Sequence, residues 1–140
     1  MMARVCLVAC VQGKVGHPAR AEDLYTSPLF RKARDFARRH FDRWFILSAE
    51  YGLLDPARVV EPYEKTLNRM PRAERRRWSE TVFAELARQC DPGDEITVIA
   101  GQRYREGLVP LLLRRGHRVH VPMEGMPIGR QLQWLTEHTR

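Results

Sequence analysis

Cysteine is scarce in this chain: Cys6, Cys10 and Cys90 are the three residues, with no Cys-x-x-Cys pair among them. That argues against a disulfide framework. Cys6 and Cys10 fall on one presumed strand, about 13 Å apart at ~3.3 Å per residue, too far for one disulfide or one zinc ion. His117 and His120 point to opposite faces of a strand, so no metal site is expected. No apolar run approaches the roughly 18 residues that span a bilayer. The N-terminus also lacks the charged, apolar and small-residue order of a secretory signal. A soluble, cytoplasmic protein without a membrane partner is the expectation. Lysine is as rare as cysteine, occurring at Lys14, Lys32 and Lys65. Arginine therefore supplies nearly all the positive charge of a chain with 24 basic and 17 acidic residues, net +7.

Such a basic balance suits an anionic partner, a nucleoside phosphate or nucleic acid, because the field concentrates anions. Solvated helix faces account for the same charges equally simply. What is present is ordinary for a globular fold: 44% hydrophobic and 29% charged residues over 140 positions. Residues 1–140 read as one α/β domain, long enough to bury a core without staples.

Apolar runs alternate with helical periodicity. Arg4 to Cys10 reads as a buried strand and Arg43 to Ser48 as a second. Glu95 to Ala100 and His117 to Val121 complete about four. Ser27-Pro28 reads as an N-cap and first helical residue, opening a helix with Leu29, Ala33, Phe36, Ala37 and His40 on one face. Pro71 to Cys90 reads as a long helix, stopped by Asp91-Pro92-Gly93-Asp94. Another helix runs from Gly101 to Gly116, and a last one begins near Ile128. Strands alternating with helices predict a three-layer domain with a mainly parallel sheet and helices on both faces. Ligands in such sheets bind outside the carboxyl ends of the strands.

The polar residues that follow each strand are therefore the candidates. Cys10, Gln12 and Lys14 follow the first, and Ser48, Glu50 and Tyr51 the second. Gln102, Arg103 and Tyr104 follow the third, and Glu124 the fourth. A strand-end thiol near an amine suits an activated thiolate or a nucleophilic lysine. Spacing alone favours the plainer reading, a buried cysteine beside a surface lysine. Glu50 suits a general base or a carboxylate that steadies a cationic transition state. A tight turn with Gly52 at positive φ explains the same segment without chemistry. Tyr25 and Tyr63 are polar-tipped aromatics near loops. Arg72, Arg75, Arg76 and Arg77 crowd the first turns of the long helix, where positive charge opposes the macrodipole and an anion would relieve it, although such a run is more often a solvated face.

Ile46-Leu47-Ser48-Ala49-Glu50-Tyr51-Gly52-Leu53-Leu54, then Pro56, Glu61-Pro62-Tyr63 and Leu67, resembles a pattern of the YaaA peroxide-stress family. Cys10 to Lys14, Asp23-Leu24-Tyr25, Ala100-Gly101-Gln102-Arg103-Tyr104 and Pro122 to Gly129 resemble a smaller, single-domain bacterial group of unknown function. The second match covers nearly the whole chain. The YaaA resemblance implies DNA binding and protection from oxidative damage. YaaA proteins are longer, carry a helix-hairpin-helix-like element with no counterpart here, and have serine in the region of Cys10. Lys14, Ser48, Tyr51 and Tyr63 are what transfers.

The expectation is a small enzyme acting on a nucleoside, nucleotide or nucleic-acid base, by cleavage or transfer at an N-glycosidic bond. Glu50 would stabilise the oxocarbenium charge or attack it. Lys14 would hold a phosphate or form an imine, with Cys10 as the third reactive group. Tyr25, Ser48, Tyr51, Tyr63, Gly101, Arg103, Tyr104 and Glu124 would line the site, and no cofactor is called for. The alternatives are a non-catalytic nucleic-acid-binding module and an oxidative-stress protein that senses peroxide through Cys10.

Overall fold

The computed structural model describes residues 2–9 and 13–140. The thiol proposed at Cys10 lies outside the described residues. Strand β1 (Arg4–Ala9) is followed by the short β2 (Ala19–Arg20) and the single turn α1 (Ala21–Leu24). Helix α2 (Pro28–His40) leads into β3 (Arg43–Ser48), β4 (Gly52–Leu54) and β5 (Val59–Val60). A 3-10 turn at Leu67–Arg69 precedes α3 (Arg72–Ala87). Then come β6 (Glu95–Ile99), α4 (Gln102–Arg105), α5 (Leu108–Arg115), β7 (Arg118–His120) and α6 (Ile128–Thr139).

The main sheet has the order β4-β3-β1-β6-β7. Its β3, β1, β6 and β7 run parallel, and β4 is antiparallel to β3. Alternation along each strand divides the core. Val5, Leu7, Phe45, Leu47 and Val98 face α3 and α5. Cys6, Val8, Ile46 and Ile99 face α2 and α6. The chain steps from β1 to β3 in one direction and from β3 through β6 to β7 in the other. Right-handed crossovers then require α2 and the α3–α5 pair on opposite faces, as found. Each fully buried Leu or Ile in these layers contributes roughly 1.5–3 kcal/mol.

Helix α2 starts where the Ser-Pro pair predicts: Ser27 Oγ accepts the Phe30 N–H at 3.1 Å, with Pro28 at the first position. Phe30, Ala33, Phe36 and Ala37 are its buried face, while Leu29 and His40 are only half-buried. Among the departures from the sequence reading, three shape the layers around the sheet. The sheet has a fifth strand, β4, because Gly52 at φ +71° reverses the chain straight after Ser48. Three residues are too few to show periodicity. The helix expected from Gly101 to Gly116 is two, α4 and α5, separated at Glu106–Gly107. A Cβ on Gly107 would lie 2.5 Å from Ser79 Oγ, so glycine permits the close approach of α3 at the cost of helix propensity. Helix α3 ends at Ala87 rather than Cys90, and the Cys90 N–H closes the last turn on Leu86 O at 3.0 Å.

Candidate functional site at the carboxyl ends of the strands

The order of the main sheet reverses direction about β1, which leaves a crevice at the strands' carboxyl ends. The loop after β1 reaches this rim with Gly13 at φ +72°. A side chain at Gly13 would meet Thr26 Oγ1 at 2.6 Å, so the close turn needs glycine. The turn is pinned by Thr26 N–H to Gly13 O and Val15 N–H to Leu24 O, both 2.9 Å. Lys14 is thereby laid against Tyr25 as an isolated β-bridge.

Its ammonium sits 4.3 Å from the Tyr63 ring centroid and 5.7 Å from that of Tyr25. The two phenol oxygens are 2.6 Å apart, and Tyr51 packs edge-on to Tyr63 with centroids 5.6 Å apart. Tyr51 OH donates to Glu61 O at 3.0 Å, which holds the extended Glu61-Pro62-Tyr63 segment. Ser48 is fully buried; its Oγ accepts the Tyr51 N–H at 2.9 Å, and its carbonyl accepts from Trp78 Nε1 at 2.9 Å. Ser48 thus builds the turn that carries Tyr51. Ligand contact is left to other groups.

Lys14 and Tyr63 open on a cleft of about 830 Å³, within the usual size for small-molecule sites. Glu64, Thr66, Asn68 and Arg69 complete its wall. The sequence reading missed these four. They lie between the last turn residues and the start of α3, a stretch without period whose mixed polar residues were the available signal.

Residues 5–137 match the model of a family of unknown function, DUF6884. The chain belongs to that family. It is also similar to the uncharacterized protein YfjM of Bacillus subtilis (strain 168), at 30% identity over 129 residues, covering 83% of this chain and 81% of that protein. No solved structure matches. The DUF6884 match covers every described residue that lines the cleft, so the cleft lies within the family's domain.

The remaining candidates disperse. Glu50 is exposed and faces a different depression, beside Lys65, Glu74 and Arg77. The chain after Pro62 walls the two apart: Tyr63, Glu64 and Thr66 line the Lys14 cleft, while Lys65 lines the Glu50 depression. The pairing of Lys14 with Glu50 in one pocket, on which the sequence reading rests, is therefore not formed. Gly101 and Glu124 border a cavity of about 170 Å³ at the ends of β6 and β7, where Arg105 holds Glu124 at 2.8 Å. Arg103 is exposed on a fourth cavity, with arginines of α3. Tyr104 is buried edge-on against Trp78, centroids 5.5 Å apart. Its place is in the core.

Cys6 is fully buried, and burial pushes its thiol far above the ordinary range, which leaves it inert. Among the described residues no group of three or more His, Cys, Asp or Glu is placed to hold a metal. Among them no helix is long and apolar enough to cross a membrane. His117, just before β7, is buried, and His120, the last residue of β7, is exposed.

Proposed function

We propose that the chain is a small enzyme that binds a nucleoside or nucleotide in the Lys14–Tyr63 cleft and cleaves or transfers it at the N-glycosidic bond. The observation that carries the reading is the ammonium held 4.3 Å from the Tyr63 ring at the mouth of a cleft of nucleotide-compatible size. Among the described residues, two cations, Lys14 and Arg69, stand on its wall against one carboxylate, Glu64, so an anionic ligand is favoured. Lys14 holds the phosphate. Glu64 takes the role the sequence assigned to Glu50. Its carboxylate stabilises positive charge at C1′ as the C1′–N bond breaks. The base leaves with the bonding pair and takes up a proton, and water supplies the oxygen that adds to C1′. The correspondence of residues 46–63 with the YaaA pattern supports a distant relation to that peroxide-stress family.

The test is release of free base from nucleoside 5′-monophosphates, followed by chromatography. Wild type should release base. Lys14→Ala should raise KM about tenfold or more, and Glu64→Gln should lower kcat by about 100-fold or more. No release and no saturable nucleotide binding would overturn the reading. Oligonucleotide binding that falls steeply with salt and survives Lys14→Ala would put a nucleic-acid-binding module in its place.

A further inference from the structure

The cavity that Arg103 borders, of about 360 Å³, lies between the first two turns of α3 and the α4–α5 junction. Arg72, Arg75 and Arg76 reach it from α3, and Arg103 from α4. Among the described residues Glu106 is the one carboxylate on its wall, and it is engaged by Arg75 Nε at 2.8 Å. Arg75 also donates to Met70 O at 2.6 Å, which fixes its guanidinium as a half-buried wall of the cavity. Arg72, Arg76 and Arg103 have no carboxylate within 4.0 Å among the described residues. Three guanidinium groups thus line the cavity with no ion-pair partner among the described residues, beside the start of a helix that carries Glu74 in its first turn and whose N-cap, Pro71, supplies no side-chain acceptor. The arrangement opposes the helix dipole and is relieved by an anion.

A second, independent feature points the same way. Ser79 is 2% exposed and lines the cavity, yet its hydroxyl has no hydrogen-bond partner among the described residues. Its oxygen is reached from the cavity rather than sealed from it, so a ligand or water placed there completes its hydrogen bonding. Gly107 packs directly over Ser79, so no side chain from α5 fills the space above it. A hydroxyl donor and a ring of guanidinium forks are the groups that recognise phosphate oxygens.

We infer that this cavity is a binding site for the phosphate or diphosphate group of a small phosphorylated ligand, separate from the Lys14 cleft. Arg76 and Arg103 supply the exposed forks, Arg75 the fixed wall, and Ser79 a hydroxyl at the floor. The cavity is walled on two sides by helices, which favours a terminal phosphate over a nucleic-acid backbone that must pass through.

Pyrophosphate binding is the direct test, measured by titration calorimetry on the full chain and on Lys14→Ala, where the cleft amine is removed. A single-stranded oligonucleotide serves as the second probe. Saturable pyrophosphate binding is expected in both proteins, weakened about tenfold by Arg103→Ala and by Arg76→Ala. Arg114→Ala, which removes an equal charge from exposed α5 surface, should change it less than twofold. Absence of pyrophosphate binding, equal losses in all three arginine variants, or binding of the oligonucleotide alone would overturn the assignment. Circular dichroism of each variant separates lost binding from lost folding.

Discussion

The two ends of the parallel sheet are built from similar residues and put to opposite uses. At the amino end, the residue before each strand is tied to a neighbour. Asp94, before β6, accepts the Ala3 and Asp91 N–H groups, both at 2.9 Å. Asp42, before β3, accepts the Arg4 N–H at 2.8 Å. His117, before β7, pairs through Nδ1 with Asp94 O at 2.8 Å and through Nε2 with Arg115 at 3.1 Å. A carbonyl only accepts and a guanidinium only donates, so the proton sits on Nδ1. At the carboxyl end, Lys14, Glu50, Gly101 and Glu124 each border a cavity, Glu124 while paired with Arg105 at 2.8 Å. Polar groups at the amino end hold strands in register, whereas at the carboxyl end several line cavities and Ser48 is sealed in hydrogen bonds. The lesson is that charge near a strand end says little until its partners are known.

The sharpest way to break this contrast is to remove the acceptor at the amino end. Asp94→Ala strands two backbone donors and should destabilise the fold by about 3 kcal/mol in urea titration. Nucleotide affinity at the cleft should be unaltered in the fraction that remains folded. A stable Asp94→Ala protein would show that the amino end is not the structural one.

Acid should expose the same asymmetry. Hydrogen bonds from the Ala3 and Asp91 amides hold the Asp94 carboxyl below its ordinary value. The unfolded chain, with a carboxyl pKa of ~3.9, therefore takes up the proton first. Asp94's contribution is complete above about pH 4 and is lost as pH falls through the lowered folded value. Unfolding free energy measured against pH should fall below about pH 4, and Asp94→Asn should flatten that slope.

The smallest expected effect sharpens the assignment at the carboxyl end. Glu50→Gln should change nucleotide affinity at the Lys14 cleft less than twofold, since the two side chains line different hollows. A tenfold loss would reunite them and restore the carboxylate to the site.

Much of the fold was legible from local pattern. Ser27-Pro28 marked the start of α2, and Arg43 to Ser48 coincided with β3 at both ends. Ile128 opened the last helix as expected. Gly52 took the positive φ that the sharp turn after Ser48 demanded. The site was less legible. Tyr25, Tyr51 and Tyr63 were expected near one another and do adjoin, but Glu50 and Tyr104 were assigned to a pocket they do not share.

Sequence alone determined the alternation of strands and helices, the helix starts, and the cationic balance. Period, capping chemistry and charge are properties of residues close along the chain. Tertiary structure decided that Glu64 and Arg69, rather than Glu50, stand beside Lys14. It also decided that Arg103 joins the arginines of α3. Those groupings bring together residues tens of positions apart. They depend on which way a short extended segment turns its alternate side chains, and on how closely a glycine lets two helices approach.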